Sequence, residues 1–411
     1  MSKGVRRKAL LLALTTVVCL LCSGCLGAHS LDEYGYVLMI GVDKGEEAPF
    51  YVTLLLQKGG QGGETDAAAE GSVLAGTPCT NLFDAIDQIE ASMPFRLELS
   101  RAAVIVCAEE LAKSGAAAEE FLAISLGSLR VRYYVNLVVA QGQARDYLAG
   151  LRSTLAPNLA KLQDSFVQYS EATGLAPVTT LAQFYEGAWS PTFDTVLPLG
   201  SFNSQRMLQD QLQKLEEENM PLSQYQQQEA DGSDTPVGGM KSSLEGAAVF
   251  DGSHMVGTLT GEQTQYLLMA LGEFQRGRIQ MQDREGRQMS VVLQKADRPT
   301  TTIRFQEGVP KGQIALSLHA AVERPASVAE ISPEEMEQEI AQHIQKGLEQ
   351  TFLVCQDMGS DAFGLGKAAV SHFDTVKDWE AFNWKRAYQM AQVEFHVVVS
   401  LQYNPTKSRM E

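Results

Sequence analysis

A run of seven residues without a charged side chain, 102–108 (AAVIVCA), limits the fold of this chain more than any other stretch. A strand that is apolar on both faces has to be covered on both faces, which is the environment of a parallel or mixed sheet packed between helices. A helical pattern over 109–126 follows, and then a second strand pattern at 133–140 (YYVNLVVA). Strand, helix and strand in that order form a crossover unit, so at least part of the sheet is parallel.

The segments around this unit extend the pattern. Residues 35–42 (GYVLMIGV) and 50–56 read as two strands joined by a polar turn at Gly45-Glu46-Glu47. The Gly- and Ala-rich 59–70 reads as a surface loop. Thr80 is placed to cap a helix with Leu82, Ile86, Ile89 and Met93 on one side. Residues 144–189 are mostly helical in pattern, and a short strand follows at 195–199. Positions 203–242 are Gln-rich with an acidic knot at 216–218, a composition that buries too little apolar surface to offset ordering entropy. They read as an insertion or linker. Apolar periodicity returns at 245–259, a hairpin around Asp251-Gly252-Ser253. Thr260 with Gln263, and Ser332-Pro333-Glu334-Glu335, are capping-box starts of two helices. Extended segments fill the interval up to 322, and 393–403 reads as a final strand.

Charge bears on partners. The chain carries a formal −17, yet its first 24 residues hold Lys3, Arg6, Arg7 and Lys8 and no acid. Without them, 29 basic side chains face 50 acidic ones, a formal −21. Such a body is repelled by phosphate backbones, and no basic cluster interleaved with aromatics compensates, so nucleic acid is not an expected partner. Anionic lipid headgroups repel it too, so net charge does not hold it to a membrane.

The N-terminus supplies another means. Basic residues precede an apolar run at 9–22 (ALLLALTTVVCLLC), then Ser23, Gly24 and Cys25. Fourteen residues of helix span about 21 Å, short of the ~30 Å hydrocarbon core, so a secretory signal over 1–24 is expected rather than a permanent span. The segment 21–25 (LCSGC) resembles the lipobox of bacterial lipoproteins. That resemblance implies a diacylglycerol on the Cys25 thiol and cleavage before it. Two acyl chains suffice for stable attachment, each buried CH₂ contributing ~0.8 kcal/mol.

The search for chemistry yields no active site. Cys79, Cys107 and Cys355 are single, with no C-x-x-C pair, and allow at most one internal bridge; Cys107 reads as a small buried hydrophobe. The six histidines lack metal-ligand spacing and read as structural, and no G-x-S-x-G is present. Residues 361–367 (DAFGLGK) superficially suggest a phosphate loop, but Asp361 and Ala368 stand where such a motif needs Gly and Ser or Thr. A turn between helices is the expected structure. No enzyme activity, metal, cofactor or small-molecule substrate is expected.

Four stretches in order resemble the Ger(x)C family of spore germination lipoproteins. The first is Cys25 followed by Asp32-Glu33 and VLMIGVDK at 37–44. The second is RAAVIVCAEELAKSG at 101–115 with LRVRY at 129–133. The third is LEGAAVFDGSHMVGTL at 244–259, and the last is DAFGLG at 361–366 with Trp379 and the final strand. The resemblance implies the C subunit of a nutrient germinant receptor, lipid-anchored on the outer face of the spore inner membrane beside polytopic subunits. It implies a role in assembly or signal relay and no known catalytic residues. Asp43, Arg101, Glu109 and Asp361 lie in these stretches and either contact partners or fix turns. An extracytoplasmic solute-binding lipoprotein is the alternative, and it predicts a deep cleft between two similar lobes. The expected fold is α+β: mixed sheets with packed helices in an extracytoplasmic body of two to three domains. Their expected bounds are an N-terminal α/β domain over 25–200, a middle domain over 201–296 including the insertion, and a C-terminal α+β domain over 297–411.

Overall fold

The computed structural model describes residues 34–58, 72–115, 131–155, 162–202, 242–283, 286–323 and 332–402. The signal, Cys25, the 59–70 loop, nearly all of the 203–242 insertion and most of the helix expected over 109–126 lie outside these residues.

Strands β1 (Tyr34–Lys44) and β2 (Phe50–Lys58) form the expected hairpin, and β3 (Ser72–Cys79) extends it antiparallel to β2. Helix α1 (Leu82–Ser92) follows. Its cap is Asn81 rather than Thr80: the Asn81 side chain accepts from the amides of Phe83 and Asp84, while the Thr80 hydroxyl donates to Asp84. Both β4 (Arg96–Glu98) and β5 (Val104–Ala108) run parallel to β1. Helix α2 (Glu109–Ser114) leaves β5, and β6 (Asn136–Gln141) returns parallel to it, which completes the expected crossover. Three helices, α3 (Ala144–Leu155), α4 (Leu162–Thr173) and α5 (Leu181–Ala188), precede β7 (Val196–Phe202), parallel to β6.

The hairpin of β8 (Ser242–Asp251) and β9 (His254–Leu259) then pairs antiparallel with β7 and closes a nine-stranded mixed sheet in the order β3-β2-β1-β5-β6-β7-β8-β9, with β4 beside β1. Its two faces are buried separately. One packs Ile40, Val52, Ile105 and Val139 under α1, α2 and α5. The other packs Met39, Leu55, Val104, Val106 and Val138 under Tyr147, Leu148 and Leu151 of α3. This double cover is what the uninterrupted apolar run at 102–108 requires.

The second sheet is smaller and mostly antiparallel. Strands β10 (Arg276–Gln282), β11 (Gln288–Lys295), β12 (Thr300–Gln306) and β13 (Val309–Glu323) are joined by β14 (Gln392–Leu401), parallel to β13. The crossover between β13 and β14 carries α7 (Pro333–Asp357), α8 (Leu365–Ala369), α9 (Val376–Phe382) and α10 (Trp384–Tyr388). The capping box at Ser332/Glu335 starts α7, and that at Thr260/Gln263 starts α6 (Gly261–Leu271). Met336, Ile340, Ile344, Leu348 and Phe352 of α7 cover one face of this sheet. The other face alternates outward, as β10 shows residue by residue, so one side is wet. His319 and His396 lie on β13 and β14; His319 is half-buried and His396 is exposed beside Glu394, so His396 is a surface residue rather than part of the core.

The expected middle unit, 201–296, is divided between the two sheets. Residues 242–259 complete the first sheet, whereas α6, β10 and β11 enclose the second core, to which Val196, Ala247, Val249 and Leu259 of the first sheet also contribute. The strands on either side of the polar stretch, β7 and β8, are hydrogen-bonded neighbours.

Candidate functional site

The four residues singled out by sequence do not converge. Asp43 and Glu109 lie at the C-terminal ends of the parallel strands β1 and β5, Arg101 lies at the opposite end, and Asp361 lies between the two sheets.

Asp43 is buried at the end of β1, and its two carboxylate oxygens accept from the amides of Ala144 (2.6 Å) and Arg145 (3.0 Å) in the first turn of α3. A carboxylate is favoured there because it satisfies amides that have no partner inside the helix and meets the positive end of the helix dipole. Burial pushes its pKa above the ordinary carboxylate range, against the opposing pull of those amides and of the Arg145 charge. An open hollow of about 270 Å³ beside it is lined by Lys44, Glu46, Glu47, Tyr51 and Arg145. Glu109, in the first turn of α2, pairs with Lys113 at 2.6 Å, and the exposed Glu110 pairs with Lys44 at 2.6 Å. The Arg101 guanidinium stands 4.3 Å from the centre of the Tyr36 ring.

Asp361 is the most constrained of the four. It is 3% exposed, and its carboxylate accepts from the amides of Leu365 (2.9 Å) and Gly366 (2.8 Å) and from the Trp384 indole Nε1 (2.9 Å). The residues 361–367 thus form a turn between helices, as expected, and the Asp361 carboxylate occupies the start of α8. Gly364 sits at φ +67°, a left-handed backbone that favours glycine, and a Cβ on Gly366 would come within 2.3 Å of the Thr192 carbonyl oxygen, so close backbone approach explains Gly366.

Sequence reasoning missed the partner of this turn. Asp194, buried just before β7, accepts from the amides of Gly252 (2.9 Å) and Asp361 (2.8 Å), and its own amide donates to the Asp361 carbonyl (3.2 Å). One carboxylate therefore joins the β8–β9 turn, the entry to β7 and the segment after α7. Lys385 forms an ion pair with Asp251 at the same seam, and the Lys367 ammonium lies 3.5 Å from the centre of the Phe193 ring. Burial pushes Asp361 up to about 7; its three donors oppose that shift and the neighbouring Asp194 charge adds to it. The seam leaves about 10 Å³ of open space, room for one water. These carboxylates are fixed acceptors that tie elements together.

A larger cleft of about 550 Å³ opens elsewhere between the sheets, lined by Glu171 and Gln183 on one side and by Leu271, Lys295, Arg298 and Pro299 on the other. The thiols of Cys79, Cys107 and Cys355 are unbridged, and burial pushes them up to about 11, 12 and 12, which keeps them protonated and unreactive. Cys107 is half-buried rather than the buried hydrophobe expected, and its thiol lies 3.4 Å from the Ala108 carbonyl oxygen. Among the described residues, no three His, Cys, Asp or Glu side chains are grouped to hold a metal ion, and no helix is long and apolar enough to cross a membrane.

Comparison with known proteins bears on the whole chain. Residues 27–201 match a family model described as the spore germination protein N-terminal domain, and residues 245–404 match one described as spore germination B3/GerAC like, C-terminal. No curated protein matches the sequence. A crystal structure of the GerBC protein is similar over 89% of this chain and 97% of that one, with a TM-score of 0.51 and 12% identity, a likeness of fold. Both halves are matched, in order, over most of the length, and the chain belongs to the Ger(x)C family of spore germination proteins.

Proposed function

We propose that this protein is the lipid-anchored subunit of a spore germinant receptor, held by an acylated Cys25 on the extracytoplasmic face of the spore inner membrane. It acts there in receptor assembly or signal relay beside polytopic subunits and carries out no chemistry of its own. One observation carries the reading: both halves of the germination family follow, in order, a leader that ends in a lipobox-like LCSGC. The buried carboxylates support it, since backbone and indole donors engage their oxygens and serve rigidity rather than turnover.

Two measurements test the reading. Spores lacking the gene are expected to lose the response to at least one nutrient germinant; normal germination with every nutrient would overturn the receptor assignment. The mature N-terminal peptide is expected to carry a diacylglyceryl Cys25 by mass spectrometry, and an unmodified Cys25 in membrane-extracted protein would end the anchor assignment.

The 550 Å³ cleft favours a second reading, a solute-binding lipoprotein, because its volume falls in the range of small-molecule sites. The two sheets differ in size and topology, whereas that reading predicts two similar lobes. A thermal-shift screen of nutrient metabolites separates the two, since a ligand present at a hundred times its Kd stabilises by about 2.7 kcal/mol.

A further inference from the structure

We propose that the N-terminal end of the first sheet docks flat on the anionic headgroup surface of the membrane that Cys25 tethers; the inference rests on the anchor reading above. Because β1, β5 and β6 are parallel, their N-terminal ends share one edge of the molecule. Tyr34 pairs with Arg96 there, and Arg101 stacks over Tyr36. The turn that enters β6 presents Arg132, Tyr133 and Tyr134, the two rings 58% and 74% exposed. All three arginines are exposed, and none forms an ion pair with a carboxylate among the described residues. Among the described acids near this end, Glu90 accepts from the Leu97 amide at 2.6 Å and Glu98 from the Ser100 amide at 3.0 Å.

The opposite end of the same strands has the reverse character. Glu46, Glu47, Glu110 and Asp146 are exposed and Glu109 is half-buried, against Lys44, Lys113 and Arg145. Among the described residues, charge is therefore polarised along these strands of a strongly acidic body. Beside an anionic surface, such a body is repelled as a whole, but the potential decays over ~8 Å at physiological salt, so the near end decides the orientation. Exposed tyrosines suit that depth, because their rings favour the headgroup region.

The tether delivers this same end. Cys25 precedes Tyr34 by nine residues, two of which, Asp32 and Glu33, are acidic, and nine residues reach at most about 30 Å. The first described strand starts at the basic, aromatic edge, so a lipid-bound Cys25 holds that edge nearest the bilayer. Lipid attachment supplies the retention, and the arginines and tyrosines supply the orientation.

Hydroxyl-radical footprinting of the acylated full-length chain tests this, in vesicles of phosphatidylcholine alone or with one third phosphatidylglycerol. Oxidation of Tyr133 and Tyr134 is expected to fall about fivefold or more on the anionic vesicles, with the exposed Met390 unchanged as the internal control. Substituting Arg96, Arg101 and Arg132 together by Gln is expected to weaken the docked state about a hundredfold and restore labelling. Should that variant misfold, raising salt on the unaltered chain reads the same attraction. Flotation reports the anchor separately. A chain that floats with its vesicles while both tyrosines stay labelled overturns the docking and leaves the anchor standing. A chain that does not float overturns both. Protection seen in native membranes but absent on anionic vesicles assigns the edge to an integral protein and likewise overturns the proposal.

Discussion

Asp43 and Asp361 perform the same local act in two different places. Each is a buried carboxylate that accepts from two consecutive amides at the start of a helix. Asp43 fastens α3 to β1 inside the first unit, next to an open hollow and a compensating Arg145. Asp361 takes a third donor from Trp384, lies in a closed seam, and is joined through its own backbone to Asp194 and thereby to the first sheet. The lesson is that a carboxylate's role follows from its surroundings. Where solvent and a cation stand by, it caps one helix; where burial dominates, its pKa rises to about 7 and it becomes part of the joint between two sheets.

Four measurements can break or sharpen this contrast. The largest effect is expected from Asp361→Ala, which strands two amides and an indole N–H in a closed seam; a loss of ~3–5 kcal/mol in urea unfolding is expected. A loss no larger than that of Asp43→Ala would erase the distinction. The next effect is pH dependence. Asp361 ionises near its ordinary 3.8 when unfolded and at about 7 when folded, so the folded state holds a proton that the unfolded state has released between these values. Its contribution to stability is full below about 4 and is lost as pH rises through about 7. Thermal melts of Asp361→Asn should show that decline flattened. Asp43→Ala, losing a cap with water and Arg145 at hand, should lose ~1–2 kcal/mol, read by urea unfolding. Arg101→Ala removes an exposed stacking contact and should change stability by less than ~1 kcal/mol in the same assay.

Much of this architecture is legible locally. The capping boxes at Thr260 and Ser332, the hairpins at 45–47 and 251–253, and the doubly covered β5 all follow from patterns within a dozen residues. Asn81 took the cap from Thr80 because two adjacent side chains can each supply the oxygen, and periodicity does not choose between neighbours. The seam was legible only by half. The turn at 361–366 announced itself through its glycines, whereas Asp194 works on amides 58 and 167 residues away and leaves no periodic trace. Asp43 belongs to the same class, since its partners lie 101 and 102 residues downstream. Composition marks where a chain is polar, while strand pairing marks where a sheet continues, and β7 and β8 pair across the polar stretch.

The placement of the β8–β9 hairpin has a practical outcome. Most of it, from 245 on, falls within the C-terminal family match but is hydrogen-bonded into the N-terminal sheet, so the halves dovetail. Since β7 and β8 pair, two fragments cut between 203 and 241 are expected to associate noncovalently, which co-purification checks. Either half produced alone would instead present a raw sheet margin, β7 in one and the orphaned hairpin in the other, and would be prone to aggregate.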